Sequence, residues 1–250
     1  MNNPSASVYE EVATIGKAGF DFVDLTIEGP NLYFDADSVR ALLEQYNLAV
    51  IGHTDPCLPY AYPVRGIREA CLKELERCGR VFADLGAHIM NIHPCYSSPP
   101  RRKPDLLDMN IEALKPIADM AGRLGITIVL ENFRAPFDCV ENFRKILAEI
   151  PEIGVHLDFG HANMGADSGE AFCRYLPQAI KHVHFSDNRA YDDHHMPLGV
   201  GNVDWGKAVG ALKRIRYDGT ITLEVFCDDS SVLFDYLEIS RRLILKFWNR

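Results

Sequence analysis

The sequence predicts a parallel α/β protein, a (β/α)8 barrel with its first strand short or missing, in a single domain spanning 1–250. Three observations predict it. Short, near-continuous apolar runs alternate along the chain with longer segments of three- and four-residue apolar spacing, the pattern of strands covered on both faces by crossover helices. Gly86, Gly125 and Gly219 stand just before apolar runs, where a helix end followed by a turn favours glycine. The length of 250 residues suits one barrel, and no linker, repeat or low-complexity stretch divides it.

The elements follow in order. A helix at about Ser7 to Ala18 feeds the first strand, "FDFVDLTI" (20–27). Further strands are "LAVIGH" (48–53), "AHIMNIH" (87–93), "ITIVLE" (126–131), "IGVHLD" (153–158), "IKHVHF" (180–185) and "TITLEV" (220–225). Between them lie amphipathic stripes such as Ile67, Cys71, Leu75, Cys78 and Phe82, or Ile111, Leu114, Ala118 and Ala121. The final "LEISRRLILKFWNR" is interrupted by charge and reads as a surface helix. Seven strands are one short of a closed barrel. Either a short strand lies in "MNNPSAS" or the barrel is open there, and an open edge would invite a second copy of the chain.

Composition narrows the function. Apolar residues make up 47% and charged residues 24%, which is ordinary for a folded globule. A net charge of −9 opposes non-specific attraction to nucleic acid or anionic membrane, although a local basic patch could still contact DNA. Seven cysteines with no CxxC pair suit reduced thiols and a cytoplasmic location. The start has neither a basic nor an apolar leader region, and no run is long enough to span a membrane.

The chemistry is concentrated in "HVHFSDNRAYDDHHMPLGVG" (182–201), which holds four of the nine histidines and three aspartates. In parallel α/β folds functional groups gather at the carboxyl ends of strands. Those ends read His53, His93, Glu131, Asp158, His184 and Glu224, with His161 just after Asp158, and Asp193 and His195 after His184. A lone histidine at a strand end is more often a hydrogen-bonded core group, and His88, His156 and His182 are read that way. His156 and His182 would point inward one layer below the strand ends, where they could support the ligands from behind, and His194 would face water. Six strand ends agreeing is another matter. Imidazole and carboxylate donors suit zinc, manganese or iron, and carboxylates sharing a pocket raise one another's pKa values unless a cation sits among them.

"NIHPCY", "VLENF", "LDFGHAN", "HVHFSDN", "DDHHMPLGVGNVDW" and "LEVF" together resemble the xylose isomerase-like TIM-barrel superfamily. The similarity runs from residue 7 to near the end, in the branch grouping AP endonuclease family 2 with sugar and sugar-phosphate isomerases and epimerases. It implies a TIM barrel and a divalent metal site of one to three ions. On the endonuclease IV pattern, three zincs would use His53, His93, Glu131, Asp158, His161, His184, Asp193, His195 and Glu224. On the ketose epimerase pattern, Glu131, Asp158, His184 and Glu224 bind a single ion, and Glu131 and Glu224 also move protons.

Two activities therefore compete. A sugar or sugar-phosphate isomerase or epimerase would pass a proton between Glu131 and Glu224 through an enediolate. A trinuclear-zinc phosphodiesterase cutting DNA at abasic sites would use all nine ligands, and would need a basic surface at the barrel mouth. The dense basic run holds Arg101, Arg102 and Lys103, which could bind a substrate phosphate, touch a DNA strand, or simply be solvated. Arg134 and Phe137 are placed at the mouth. Overall charge favours the small-molecule enzyme.

Overall fold

The computed structural model describes residues 1–3, 5–96, 106–227 and 229–250, apart from the side chains of Ser230 and Ser231. Arg101, Arg102 and Lys103 lie outside the described residues. The elements run α1 (Val8–Lys17), β1 (Phe22–Ile27), α2 (Ala36–Tyr46), β2 (Ala49–Thr54), α3 (Arg65–Asp84), β3 (Ile89–Ile92), α4 (Leu106–Arg123), β4 (Thr127–Glu131) and α5 (Val140–Glu149). They continue with β5 (Gly154–Asp158), α6 (Phe159–Met164), α7 (Gly169–Tyr175), β6 (Ile180–Phe185), α8 (Trp205–Arg214), β7 (Thr220–Leu223) and α9 (Ser230–Trp248). Every expected strand is present. The strands form one parallel sheet whose order is chain order, the arrangement of a TIM barrel.

The chain forms two compact units, Met1–Leu130 with Ile146–Ile153, and Glu131–Lys145 with Gly154–Arg250. In the first, β1 to β4 pair in parallel, with Thr26 opposite His53 and His53 opposite Asn91. Helix α1 buries Val8, Val12 and Ile15, and the Asn31 side chain accepts from the Val8 N–H at 3.2 Å in place of a side-chain cap from Ser7. In α3 the expected stripe is buried from Cys71 to Phe82, but Ile67 at its start is exposed. Phe82 packs against β2 at Gly52, where an added Cβ would overlap the ring. Gly52→Ala is expected to destabilise the chain by about 1–3 kcal/mol through overpacking, read as a lower midpoint of urea unfolding.

The segment before α1 contains no strand among the described residues, yet it does part of a strand's work. Asn2 is fully buried beside β1, its N–H donating to Asp24 O at 3.2 Å and its side-chain oxygen accepting from Thr26 N at 2.8 Å. One residue, through its backbone N–H and its side-chain oxygen, thus imitates a ladder partner.

In the second unit Asp158 pairs with His184, and His184 with Thr222. Phe185 is buried between Phe159 of α6, at 5.1 Å between ring centroids, and Trp205 of α8, at 4.7 Å. The glycine expectation holds at Gly86 (φ 89°) and Gly125 (φ 73°), both in the left-handed region after a helix. At Gly219 the reason differs. Arg216 (φ 55°) takes the left-handed position after α8, and Gly219 instead makes room for the Tyr217 hydroxyl, 2.6 Å from where a Cβ would be. No helix of the described residues is long and apolar enough to cross a membrane.

Candidate functional site

The second unit gathers four ligand candidates by simple means. Glu131 is the last residue of β4, Asp158 the last of β5, His184 lies near the end of β6, and Glu224 follows β7 directly. The Glu224 N–H donates to Phe185 O at 3.1 Å, so the ladder continues one step past the strand. All four residues are buried, and Glu131, Asp158 and His184 each offer a ligand atom within 4.8 Å of the others. Glu224 Oε2 is 3.0 Å from His184 Nδ1. Asp158 also caps α6, accepting from the His161 N–H at 2.5 Å through Oδ1, while its Oδ2 is buried with no hydrogen-bond partner.

That unmatched oxygen matters because a buried acceptor without a partner is costly. Burial, with the Glu224 and Glu131 carboxylates nearby, pushes the Asp158 carboxyl up to about 7, against the pull of His161 and His184. Burial would also raise Glu224, but His184 and His195 hold it well below the usual carboxylate range. The imidazoles answer in kind. Burial alone would lower His161, yet Asp158, Asp193 and Glu131 keep it well above its ordinary value. His195, likewise opposed by burial, is lifted to about 9 by Glu224, Asp193 and Asp158. The cluster has an excess of negative charge that protonated histidines offset. A divalent cation would offset it better, and the oxygen and imidazole donor set suits manganese or zinc.

His161, Asp193 and His195 join the same cluster pairwise. His161 Nε2 is 3.0 Å from Asp193 Oδ2 and its Nδ1 is 3.0 Å from Glu131 Oε1. His195 Nε2 lies 3.6 Å from Asp193 Oδ2 and 3.5 Å from Glu224 Oε2. Asp193 and His195 reach the site because the loop after β6 doubles back on itself. Asp187 and Met196 form an antiparallel bridge, and His195 adopts φ 47°. Asp187 is the knot of that loop. Its buried carboxylate accepts from the N–H groups of Asn188 (3.0 Å), Gly199 (2.7 Å) and Val203 (3.2 Å) and from Trp205 Nε1 (3.0 Å).

His53 and His93 belong to the first unit, with ring centroids 5.2 Å apart. His53 Nε2 is 3.2 Å from Asn91 Nδ2, and its Nδ1 is 3.6 Å from Asp24, a buried acid in the middle of β1. Sequence reasoning passed over Asp24, Asp187 and Asn132. Asn132 exchanges two hydrogen bonds with the Asp158 backbone, at 2.7 and 3.0 Å. The available signal for Asp24 was a carboxylate inside an apolar run, which needs a partner to be buried.

Three expectations are corrected. Phe137 is fully buried rather than at the mouth, because its backbone pairs with Phe133 and Arg134 in a tight turn that folds the ring inward. His88 is exposed rather than a core group, since it lies just before the amino end of β3. His194 is only half exposed, packed edge-on to Tyr191 at 4.8 Å. Arg134 is exposed, with its guanidinium 5.3 Å from the centre of the Phe133 ring, and that ring stands edge-on to His161.

Residues 12–244 match the family model described as xylose isomerase-like TIM barrel. A ketose 3-epimerase of Arthrobacter globiformis is 30% identical over 230 residues, 84% of this chain and 74% of that protein. An L-ribulose 3-epimerase of Methylomonas sp. (strain DH-1) is 26% identical over 247 residues, 90% of this chain and 80% of that protein. The crystal structure of a D-tagatose 3-epimerase-like protein superposes with a TM-score of 0.87 at 26% identity, covering 97% of this chain and 95% of the other.

Proposed function

The chain belongs to the xylose isomerase-like TIM barrel family, and on that premise we propose that it is a divalent-metal-dependent epimerase or isomerase of a ketose or ketose phosphate. The observation that carries the reading is the meeting of Glu131, Asp158, His184 and Glu224 in one buried cluster, with an Asp158 oxygen left unmatched. The two named 3-epimerase relatives support the sugar substrate.

In this reading Glu131, Asp158, His184 and Glu224 hold the cation. When bound, it supplies positive charge beside the substrate's carbonyl, which makes the neighbouring carbon acidic. Glu131 removes the proton from that carbon, and Glu224 returns one from the other face, which inverts the centre. Burial suits the first step, because a carboxylate out of water is a stronger base, and it keeps water from quenching the carbanion-like intermediate. Asp158 and His184 hold position throughout. His161 keeps Glu131 oriented through the contact at its Oε1.

A second reading, metal-assisted phosphodiester hydrolysis, draws on the linked His161, Asp193 and His195, which offer donors beyond the four an epimerase uses. One experiment separates the two. The manganese-loaded chain is incubated in deuterated water with a panel of ketoses and ketose phosphates, and in parallel with a duplex containing one abasic site. Deuterium is expected at the carbon next to the carbonyl of at least one sugar, and chelation should lower that incorporation by about 100-fold or more, reversibly. A nicked duplex with no deuterium in any sugar overturns the proposal in favour of the hydrolase.

A further inference from the structure

Beneath the carboxylates of the second unit lies a column of three imidazoles, of which the proposed reaction uses one. His182, His156 and His184 are all fully buried. The His156 ring centroid is 4.8 Å from that of His182 and 3.9 Å from that of His184, edge-on to the latter. His182 is tied at the far end, with Nδ1 2.7 Å from Thr220 Oγ1 and Nε2 3.2 Å from Thr222 Oγ1. At the near end His156 Nδ1 stands 3.1 Å from Glu131 Oε2. Glu131 is therefore bracketed, with His156 on one oxygen and His161 on the other.

An aliphatic side chain would fill the inward face of β5 without the cost of burying a polar ring. The ring's position suggests what offsets that cost. We infer that His156 is a positioning residue, which fixes the Glu131 carboxylate through Nδ1 and the His184 ring through its edge. The inference rests on the metal-dependent reading above. A ligand whose orientation is set before the ion arrives loses less freedom on binding, and groups behind metal ligands commonly affect affinity or activity by about 10- to 100-fold. The Thr220 and Thr222 hydroxyls extend the same logic one step, because they hold His182, whose ring packs against that of His156.

The test uses the full chain and manganese alone, with free Mn2+ read by its electron paramagnetic resonance signal. His156→Phe keeps the ring and its edge against His184 but removes Nδ1. His156→Asn loses the ring but places an amide nitrogen close to where Nδ1 was. The Phe variant is expected to bind Mn2+ about 10- to 100-fold more weakly, and the Asn variant to recover most of that loss. In the deuterium assay kcat should fall by a similar factor in the Phe variant while KM is unchanged. Wild-type affinity and kcat in the Phe variant overturn the inference. If the Phe variant does not fold, His156→Asn is compared with His156→Leu, and equal Mn2+ affinity in these two overturns it. A wild-type chain that binds no Mn2+ overturns both the inference and the reading beneath it. Mn2+ binding that responds to His156, without deuterium in any sugar, overturns only the reading.

Discussion

Glu224→Gln is expected to cut formation of the epimer by about 1000-fold, within the range of a lost general acid or base. The amide matches the carboxylate in shape and can still meet His184 and offer the cation an oxygen, so with Mn2+ held at saturation the change is one of proton affinity more than of packing. Deuterium entry into the starting sugar should fall less, because Glu131 can still remove and return the proton on its own face. Glu131→Gln should show the reverse asymmetry when the reaction starts from the product epimer. The split between exchange and inversion is the informative result, since loss of a plain metal ligand would lower both together. Epimer formation within about two-fold of wild type in Glu224→Gln would remove Glu224 from the chemistry.

Asp187→Ala is expected to be the most destabilising single change in the second unit. The four donors that converge on its carboxylate lose their acceptor at once, three of them backbone N–H groups that hold the loop's return path. Breaking a buried charged network of this kind costs about 3–5 kcal/mol. For a chain of this size that corresponds to a fall in melting temperature on the order of 10 °C. Activity should fall as well, because Asp193 and His195 are carried by the freed loop. Asp187→Asn should lie between, since one oxygen still accepts while the amide opposes the donors on the other side. A melting temperature within about 2 °C of wild type in Asp187→Ala would show that the loop is held by something else.

Much of the fold was legible because its signals are local. The strands observed start and end within about two residues of the apolar runs, the scatter usual at element ends. Covered strands need apolar side chains on both faces, so burial writes itself into consecutive positions. The site was legible for a related reason. A parallel strand must place its last residue at one edge of the sheet, so Glu131, Asp158 and His184 could be assigned to that edge by counting. Glu224, one residue past β7, shows the tolerance of the argument.

What escaped was set by contacts between distant positions. Asn2 stands in for a ladder partner of β1 through an amide that no hydrophobic pattern marks. Phe137 looked like a mouth residue, but its place depends on the turn that draws it in. Asp187 sat in plain view within the stretch richest in histidine and acid, yet its role as the knot of the loop depends on Gly199, Val203 and Trp205 folding back onto it.

From the order of its residues alone, the chain was committed to alternating strands and helices with acids and imidazoles at the strand ends, because burial and strand direction act position by position. Only the folded molecule decided which of those groups are bracketed, which oxygen is left unmatched, and which aspartate ties a loop instead of serving the cluster. Those outcomes are distances between side chains far apart in the chain, and such distances exist only once the backbone has closed around them.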